Sequence, residues 1–265
     1  MSQIKVALRA ANRLLAESLD LILPGRLMEA LVAARFSRRP SDILEGIGPI
    51  LNRKPNLDSR QKDLEIIGEI GFEHLAVLYS STSLDHAISS MTVRQGAYLF
   101  GIVRQMQARK IVEIGRFKGG TTLIMAAAMG NQGILWSIDL ALKESYMNPA
   151  RSWDAMLRDA LDAFGLSNVE FLIGDSRTIE VNFGGEVDLV VIDGDHSYEG
   201  VRSDFDRFGR RVRPGGAVLF DDAAGDGIFP SHEGTVGRLV NEITATGDYR
   251  LVKTVSRMAH LTRLR

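Results

Sequence analysis

A chain of 265 residues, 45% of them hydrophobic and 25% charged, can bury a sizeable core, enough for one α/β domain with an accessory segment. Thirty-two basic residues against thirty-three acidic ones leave a net charge of −1, which excludes a general electrostatic attraction to nucleic acid or an anionic membrane and favours a small-molecule partner. The absence of cysteine excludes a disulfide framework, a thiolate zinc site and a cysteine nucleophile.

Residues 1–91 show helical periodicity without strand alternation. Ile4, Leu8, Ala11, Leu15, Leu19 and Ile22 form one apolar stripe, broken at Pro24-Gly25, and shorter helices are predicted over 27–36, after Ser41, and over 59–79. This segment reads as a lid or as a surface for forming homo-oligomers. Lys5, Arg9, Arg13, Glu17 and Asp20 interrupt every apolar run, so neither a signal-peptide core nor a membrane span is expected, and a cytoplasmic protein is. The cluster of Arg26, Arg35, Arg38 and Arg39 reads as a solvated face.

From residue 92 the pattern changes, and a second unit is predicted over 92–265. A helix to about 107 precedes the apolar run Lys110-Ile-Val-Glu-Ile114, a buried strand. Strands are predicted at 133–138, 169–173, 187–192 and 217–220, and helices at 121–129, 152–164 and 198–212. A helix at 235–245 and strands at 249–254 and 258–262 close the chain. Strand and helix alternating in this way give an α/β class: a Rossmann-like, doubly wound, mostly parallel seven-stranded sheet with helices on both faces. Ligands of such sheets sit at the carboxyl ends of the strands.

The first strand runs into Glu113-Ile-Gly115-Arg-Phe117-Lys-Gly119-Gly120-Thr121-Thr122 and directly into a helix. Glycines let backbone approach a ligand closely, and the helix N-terminus offers free N–H groups. A nucleotide P-loop needs a lysine after its last glycine, whereas Lys118 precedes Gly119; the dinucleotide pattern G-x-G-x-x-G is absent too. The E-x-G-x-x-x-G form resembles the first motif of class I S-adenosylmethionine-dependent methyltransferases. The resemblance implies that Glu113, Gly115, Phe117, Gly119, Thr121 and Thr122 contact that cofactor. It places the ribose hydroxyls on Asp139, at the end of the second strand, and adenine by Gly174-Asp175-Ser176 after the third. On residue type alone, Asp175 reads equally well as a helix cap.

The most informative segment is Asp188-Leu-Val-Val-Ile192-Asp193-Gly-Asp195-His196-Ser-Tyr198, followed one crossover later by Pro214-Gly-Gly-Ala-Val-Leu-Phe220-Asp221-Asp222. Carboxylates at adjacent strand ends converge, and hard oxygen ligands suit Mg²⁺ or another divalent cation. The pattern resembles metal-dependent catechol-type O-methyltransferases, and more closely a bacterial branch with D-G-D-H-S-Y, P-G-G and D-D. Carried over, the metal ligands are Asp193, Asp221 and Asp222; Asp193 and His196 border the cofactor and carry the catalysis. The catechol enzymes have lysine where His196 stands and asparagine where Asp222 stands. A neutral imidazole at His196 can accept a hydroxyl proton as general base. Tyr198 and Asp204 are expected to cap or orient the following helix, and the loop 223–234, with Asp226 and His232, is expected to cover the substrate.

The implied activity is methyl transfer to a hydroxyl of a sugar, phenol or natural product, with no nucleic acid or membrane partner. Two other classes stay open: a catalytically silent Rossmann-like cofactor-binding protein, and an NAD-dependent oxidoreductase, which the missing G-x-G-x-x-G disfavours.

Overall fold

The computed structural model describes residues 70–72, 75, 89, 91–140, 153–224 and 232–265. The helices predicted over 1–69, with the oligomerisation surface they were expected to provide, lie outside the described residues, as does Asp226.

Helix α1 (Val93–Met106) opens with a capping box, in which Thr92 Oγ1 accepts from the Gln95 N–H and the Gln95 side chain accepts from the Thr92 N–H. It closes on Gln107 in the left-handed conformation, φ 49°. Strand β1 (Lys110–Ile114), helix α2 (Gly120–Met129), strand β2 (Ile134–Asp139), helix α3 (Trp153–Ala163) and strand β3 (Val169–Ile173) follow. Then come β4 (Val187–Ile192), α4 (Tyr198–Arg207), β5 (Val212–Phe220), α5 (Arg238–Ala245), β6 (Tyr249–Val255) and β7 (Met258–Arg263). The sheet order is β3-β2-β1-β4-β5-β7-β6, parallel except for β7, which runs antiparallel to both β5 and β6. The predicted doubly wound, seven-stranded architecture is therefore the one observed.

Alternation along each strand builds two cores. Ile111, Leu135, Leu189, Val191 and Leu219 pack on one face against α1, α2 and α3. Val112, Ile114, Trp136, Val190, Ile192 and Phe220 pack on the other against α4 and α5. Helix α2 is buried on every side, which suits its sequence Gly-Thr-Thr-Leu-Ile-Met-Ala-Ala-Ala-Met.

Two boundaries differ from the sequence reading. The helix predicted over 198–212 ends at Arg207, passes through a 3₁₀ turn at Gly209–Arg211 and gives way to β5 at Val212, five residues before the predicted strand start. Val212 is buried and pairs with Val187, and the register shifts between Val187 and Leu189 absorb Arg213-Pro214-Gly215-Gly216. Gly216 is required there, because a Cβ would lie 2.7 Å from the Asp188 carbonyl oxygen. At the other boundary, residues 235–237, predicted as α-helix, belong to a π-helical turn, Glu233–Gly237, that leads into α5.

Beneath the sheet end, Glu113 is fully buried, and its Oε2 accepts hydrogen bonds from Thr122 and Ser137. Burial pushes its carboxyl from 4.5 up to about 7, against the lowering effect of the two hydroxyls. The folded protein therefore holds this proton more tightly than the unfolded chain. The resulting stabilisation is complete below about pH 4.5 and is lost as pH rises through about 7. Glu113→Gln keeps the neutral form at every pH and is expected to flatten the decline in melting temperature from about pH 5 to 8, an effect on the order of 3 kcal/mol. A variant that declines as steeply as the parent contradicts the buried-proton assignment.

Candidate active site

The strand ends are stitched together by backbone. The Gly115 N–H donates to Ile138 O (3.0 Å), that of Asp193 to Ile114 O (2.8 Å), that of Gly174 to Asp139 O (2.9 Å) and that of Asp221 to Ile192 O (3.1 Å). Gly115 has φ 91°, and a Cβ there would lie 2.1 Å from the Asp193 carbonyl oxygen, so the loops after β1 and β4 meet only because residue 115 has no side chain. Asp139 Oδ2 accepts from the N–H groups of both Arg116 and Phe117, each at 2.7 Å. The carboxylate expected to hold ribose thus also shapes the glycine loop.

These loops enclose a cavity of about 410 Å³, a size suited to a small-molecule ligand. Of the expected cofactor residues, Gly115, Phe117, Asp139, Gly174, Asp175, Ser176 and Asp193 line it. Glu113, Gly119, Thr121, Thr122 and His196 do not. Glu113 and Thr122 bond each other below the loop, and Thr121 is buried in the first turn of α2. Gly119, the N-cap of α2 at φ 83°, leaves room for Leu157, whose side chain would lie 2.3 Å from a Cβ at that position. These four support the loop from behind.

Sequence reasoning missed Arg116. It is buried, pairs with Asp154 through both Nε and Nη2 at 2.9 Å, and donates from Nη1 to Ser137 O at 2.7 Å. It thereby ties the glycine loop to α3. Asp175, expected at adenine, is held by the Arg177 guanidinium (2.6 Å, Nη2 to Oδ2), and that hydrogen bond lowers its carboxyl to about 2. The cap of α4 is Ser197, which accepts from the Gly200 N–H, rather than Tyr198 or Asp204. Tyr198 instead donates to Glu242 and links α4 to α5.

Beside the cavity, sharing Asp193 with it, lies a charged cluster. His196 Nε2 is 3.5 Å from Asp193 Oδ1 and 3.5 Å from Asp222 Oδ2, and its ring stacks on His232 at 4.6 Å. Burial raises the Asp193 carboxyl, the Asp222 charge adding to the effect, while the hydrogen bond with Asp193 raises His196. Burial and the charges of Asp193 and Asp222 push Asp221 up to about 7. Asp221 Oδ1 accepts from Gln95 Nε2 (3.0 Å), and Arg257 Nη1 lies 2.5 Å from Asp222 Oδ1.

The expected metal trio of Asp193, Asp221 and Asp222 is not what the side chains gather most closely. Among the described residues, the group whose ligand atoms all lie within 4.8 Å of one another is His196, Asp222 and His232. Asp222 has φ 56°, so it and Asp221 do not follow one strand alternation, and Gln95 holds the latter from α1. The donor set still fits a divalent cation. His196 Nε2 is buried with a carboxylate oxygen 3.5 Å away on either side, and the raised carboxylates of Asp193 and Asp221 are the groups a cation would relieve.

Comparison with known proteins bears on this geometry directly. The family model described as a methyltransferase domain matches residues 112–223, from β1 through Asp221 and Asp222. A Mycobacterium sp. (strain JLS) protein named as a candidate O-methyltransferase is 27% identical over 149 residues, which are 54% of this chain and 61% of the length of that relative. The O-methyltransferase TomG of Streptomyces achromogenes, solved with S-adenosylmethionine, superposes with a TM-score of 0.54 at 20% identity, covering 79% of this chain and 96% of TomG. An O-methyltransferase of Bacillus cereus, solved with S-adenosylhomocysteine, gives 0.52 at 18% identity over 78% and 97% of the two chains. The two solved structures establish the fold. Within the matched segment, Gly115 and Asp193 approach too closely for a side chain at residue 115. Gly115→Ala is expected to lower the melting temperature by several degrees, from a loss of more than about 2 kcal/mol. A melting temperature within a degree of the parent contradicts the close approach.

Proposed function

We propose that the protein transfers the methyl group of S-adenosylmethionine to a hydroxyl oxygen of a small molecule, assisted by a divalent cation. The observation that carries this reading is the continuity, through Asp193, between the Asp139-lined cavity and the cluster of His196, Asp221 and Asp222. It is supported by the match to a methyltransferase domain and by neighbours solved with S-adenosylmethionine or S-adenosylhomocysteine. When bound, the cofactor supplies an electrophilic methyl carbon on a sulfonium, and a cation such as Mg²⁺ supplies Lewis acidity toward the acceptor oxygen.

The chain's own part is positioning and proton handling. Asp139 would accept hydrogen bonds from the ribose hydroxyls, while its Oδ2 keeps the glycine loop in place. Gly115 and Asp193, which line the cavity where the loops after β1 and β4 meet, would border the sulfur end. Asp193, Asp221 and Asp222 would hold the cation, Mg²⁺ or a related ion. His196, between Asp193 and Asp222, takes the acceptor's proton, a role typically worth about 10²–10⁴ in rate. His232 stacks on that imidazole and limits its rotation. The acceptor is a sugar, a phenol or another hydroxylated natural product. No helix among the described residues is long and apolar enough to cross a membrane, in keeping with a proposed cytoplasmic site of action.

Asp221→Ala is expected to abolish cation-stimulated turnover while S-adenosylhomocysteine still binds; unchanged turnover contradicts the cation role. His196→Ala is expected to lower kcat by about 10²–10⁴ with little change in cofactor affinity. The gathering of His196, Asp222 and His232 favours one second reading, in which imidazoles carry the ion. Tight Zn²⁺ binding that His232→Ala releases would select it over the carboxylate set. Saturable cofactor binding without methyl product on any acceptor would favour a catalytically silent protein.

A further inference from the structure

Helix capping alone does not explain Gln95. It lies in the first turn of α1, is 0% exposed, and has both ends of its side-chain amide engaged. Oε1 accepts from the Thr92 N–H at 3.0 Å and from the Thr92 hydroxyl at 2.9 Å, while Nε2 donates to Asp221 Oδ1 at 3.0 Å. With donors on one side and a carboxylate on the other, the amide has a single orientation. A capping box is built as readily with glutamate as with glutamine, and the helix dipole favours an acid in the first turn. Helix α1 has no acid there. A glutamate at this position would set one more carboxylate against Asp221, which already faces the charges of Asp193 and Asp222. The residue type is therefore set by Asp221, 126 residues away, rather than by the helix.

Asp221 is 5% exposed and also accepts from the backbone N–H of Asp222. That donor is local to the chain end of β5, whereas the Gln95 amide reaches it from a separate element. Two donors from different directions hold a carboxylate in one orientation where one donor leaves it free to turn. We propose that Gln95 is a positioning residue for the cation: acting through Asp221, it fixes how that carboxylate is presented and makes cation affinity depend on the start of α1. This rests on the reading of Asp193, Asp221 and Asp222 as the cation ligands. Thr92 anchors the amide, and the amide anchors the ligand. Loss of such a partner of a ligating group typically costs about tenfold to hundredfold in metal affinity.

The test is calorimetric titration of the full chain with Mn²⁺ and, separately, with S-adenosylhomocysteine. Gln95→Met, which removes the amide with little change in volume, is expected to bind Mn²⁺ about tenfold to hundredfold more weakly than the parent, with its affinity for S-adenosylhomocysteine unchanged. Gln95→Asn, whose amide falls one methylene short of Asp221, is expected to show the same loss and gives the same reading should the methionine variant fail to fold. Thr92→Ala removes the capping hydroxyl but keeps the backbone N–H that orients Gln95. It is expected to lower the melting temperature and to bind Mn²⁺ as the parent does. Parental Mn²⁺ affinity in either folded Gln95 variant, or an equal loss in Thr92→Ala, overturns the positioning role and leaves the cation reading standing. No saturable Mn²⁺ binding by the parent, or binding that Asp221→Ala leaves unchanged, overturns the carboxylate site, and this inference with it.

Discussion

The site depends on one close approach, the backbone of Gly115 lying against the carbonyl of Asp193. Adjacent parallel strands bring the ends of β1 and β4 side by side, but any side chain at 115 would force the two loops apart. With the loops in contact, Asp139 can reach across from β2 and accept two N–H groups from the glycine loop. The cavity then has a fixed wall on the β1 and β2 side. Arg116, clamped between Asp154 and the Ser137 carbonyl, holds the same loop against α3. The pocket is thus set by backbone and by buried charge pairs, with a hydrophobic core on each side of the sheet beneath it.

The second constraint is the concentration of negative charge at the ends of β4 and β5. Burial opposes ionisation of Asp193 and Asp221, and the nearby charge of Asp222 adds to this. Arg257, from the tight turn between β6 and β7, and Gln95, from α1, hold Asp222 and Asp221 respectively. The antiparallel β6–β7 pair and the helix before β1 therefore both contribute to the site. The charge that results is unfavourable for the protein alone and favourable toward a cation, an acceptor proton or both.

Much of the fold was legible because its strands are continuous apolar runs bounded by glycine and acid, and because α2, α3 and α4 carry clear helical signals. The start of β5 was not, since Pro214-Gly215-Gly216 reads as a turn, and only the register shift against β4 accommodates it within a strand. At the site, Asp139, Asp175 and Asp193, read from the sequence as cofactor contacts at strand ends, line the cavity. Glu113, Gly119, Thr121 and Thr122 were read as cofactor contacts from their place in the motif, yet alternation along β1 and the first turn of α2 turns them inward. Gln95 forms a capping box with Thr92, and its reach to Asp221, 126 residues away, has no local signature. Arg116 and Arg257 carry no periodic signal either. His232 was noticed as a loop residue, and only the folded chain stacks it on His196.

The central claim, that the crevice formed around the Gly115 and Asp193 contact is an S-adenosylmethionine site, is tested most directly by a crystal structure of the protein soaked with S-adenosylhomocysteine. The account predicts the ribose hydroxyls on Asp139, the sulfur beside Gly115 and Asp193, and the base beside Gly174 and Ser176. A ligand bound elsewhere, or a crevice that stays free of ligand at saturating concentration, would contradict it.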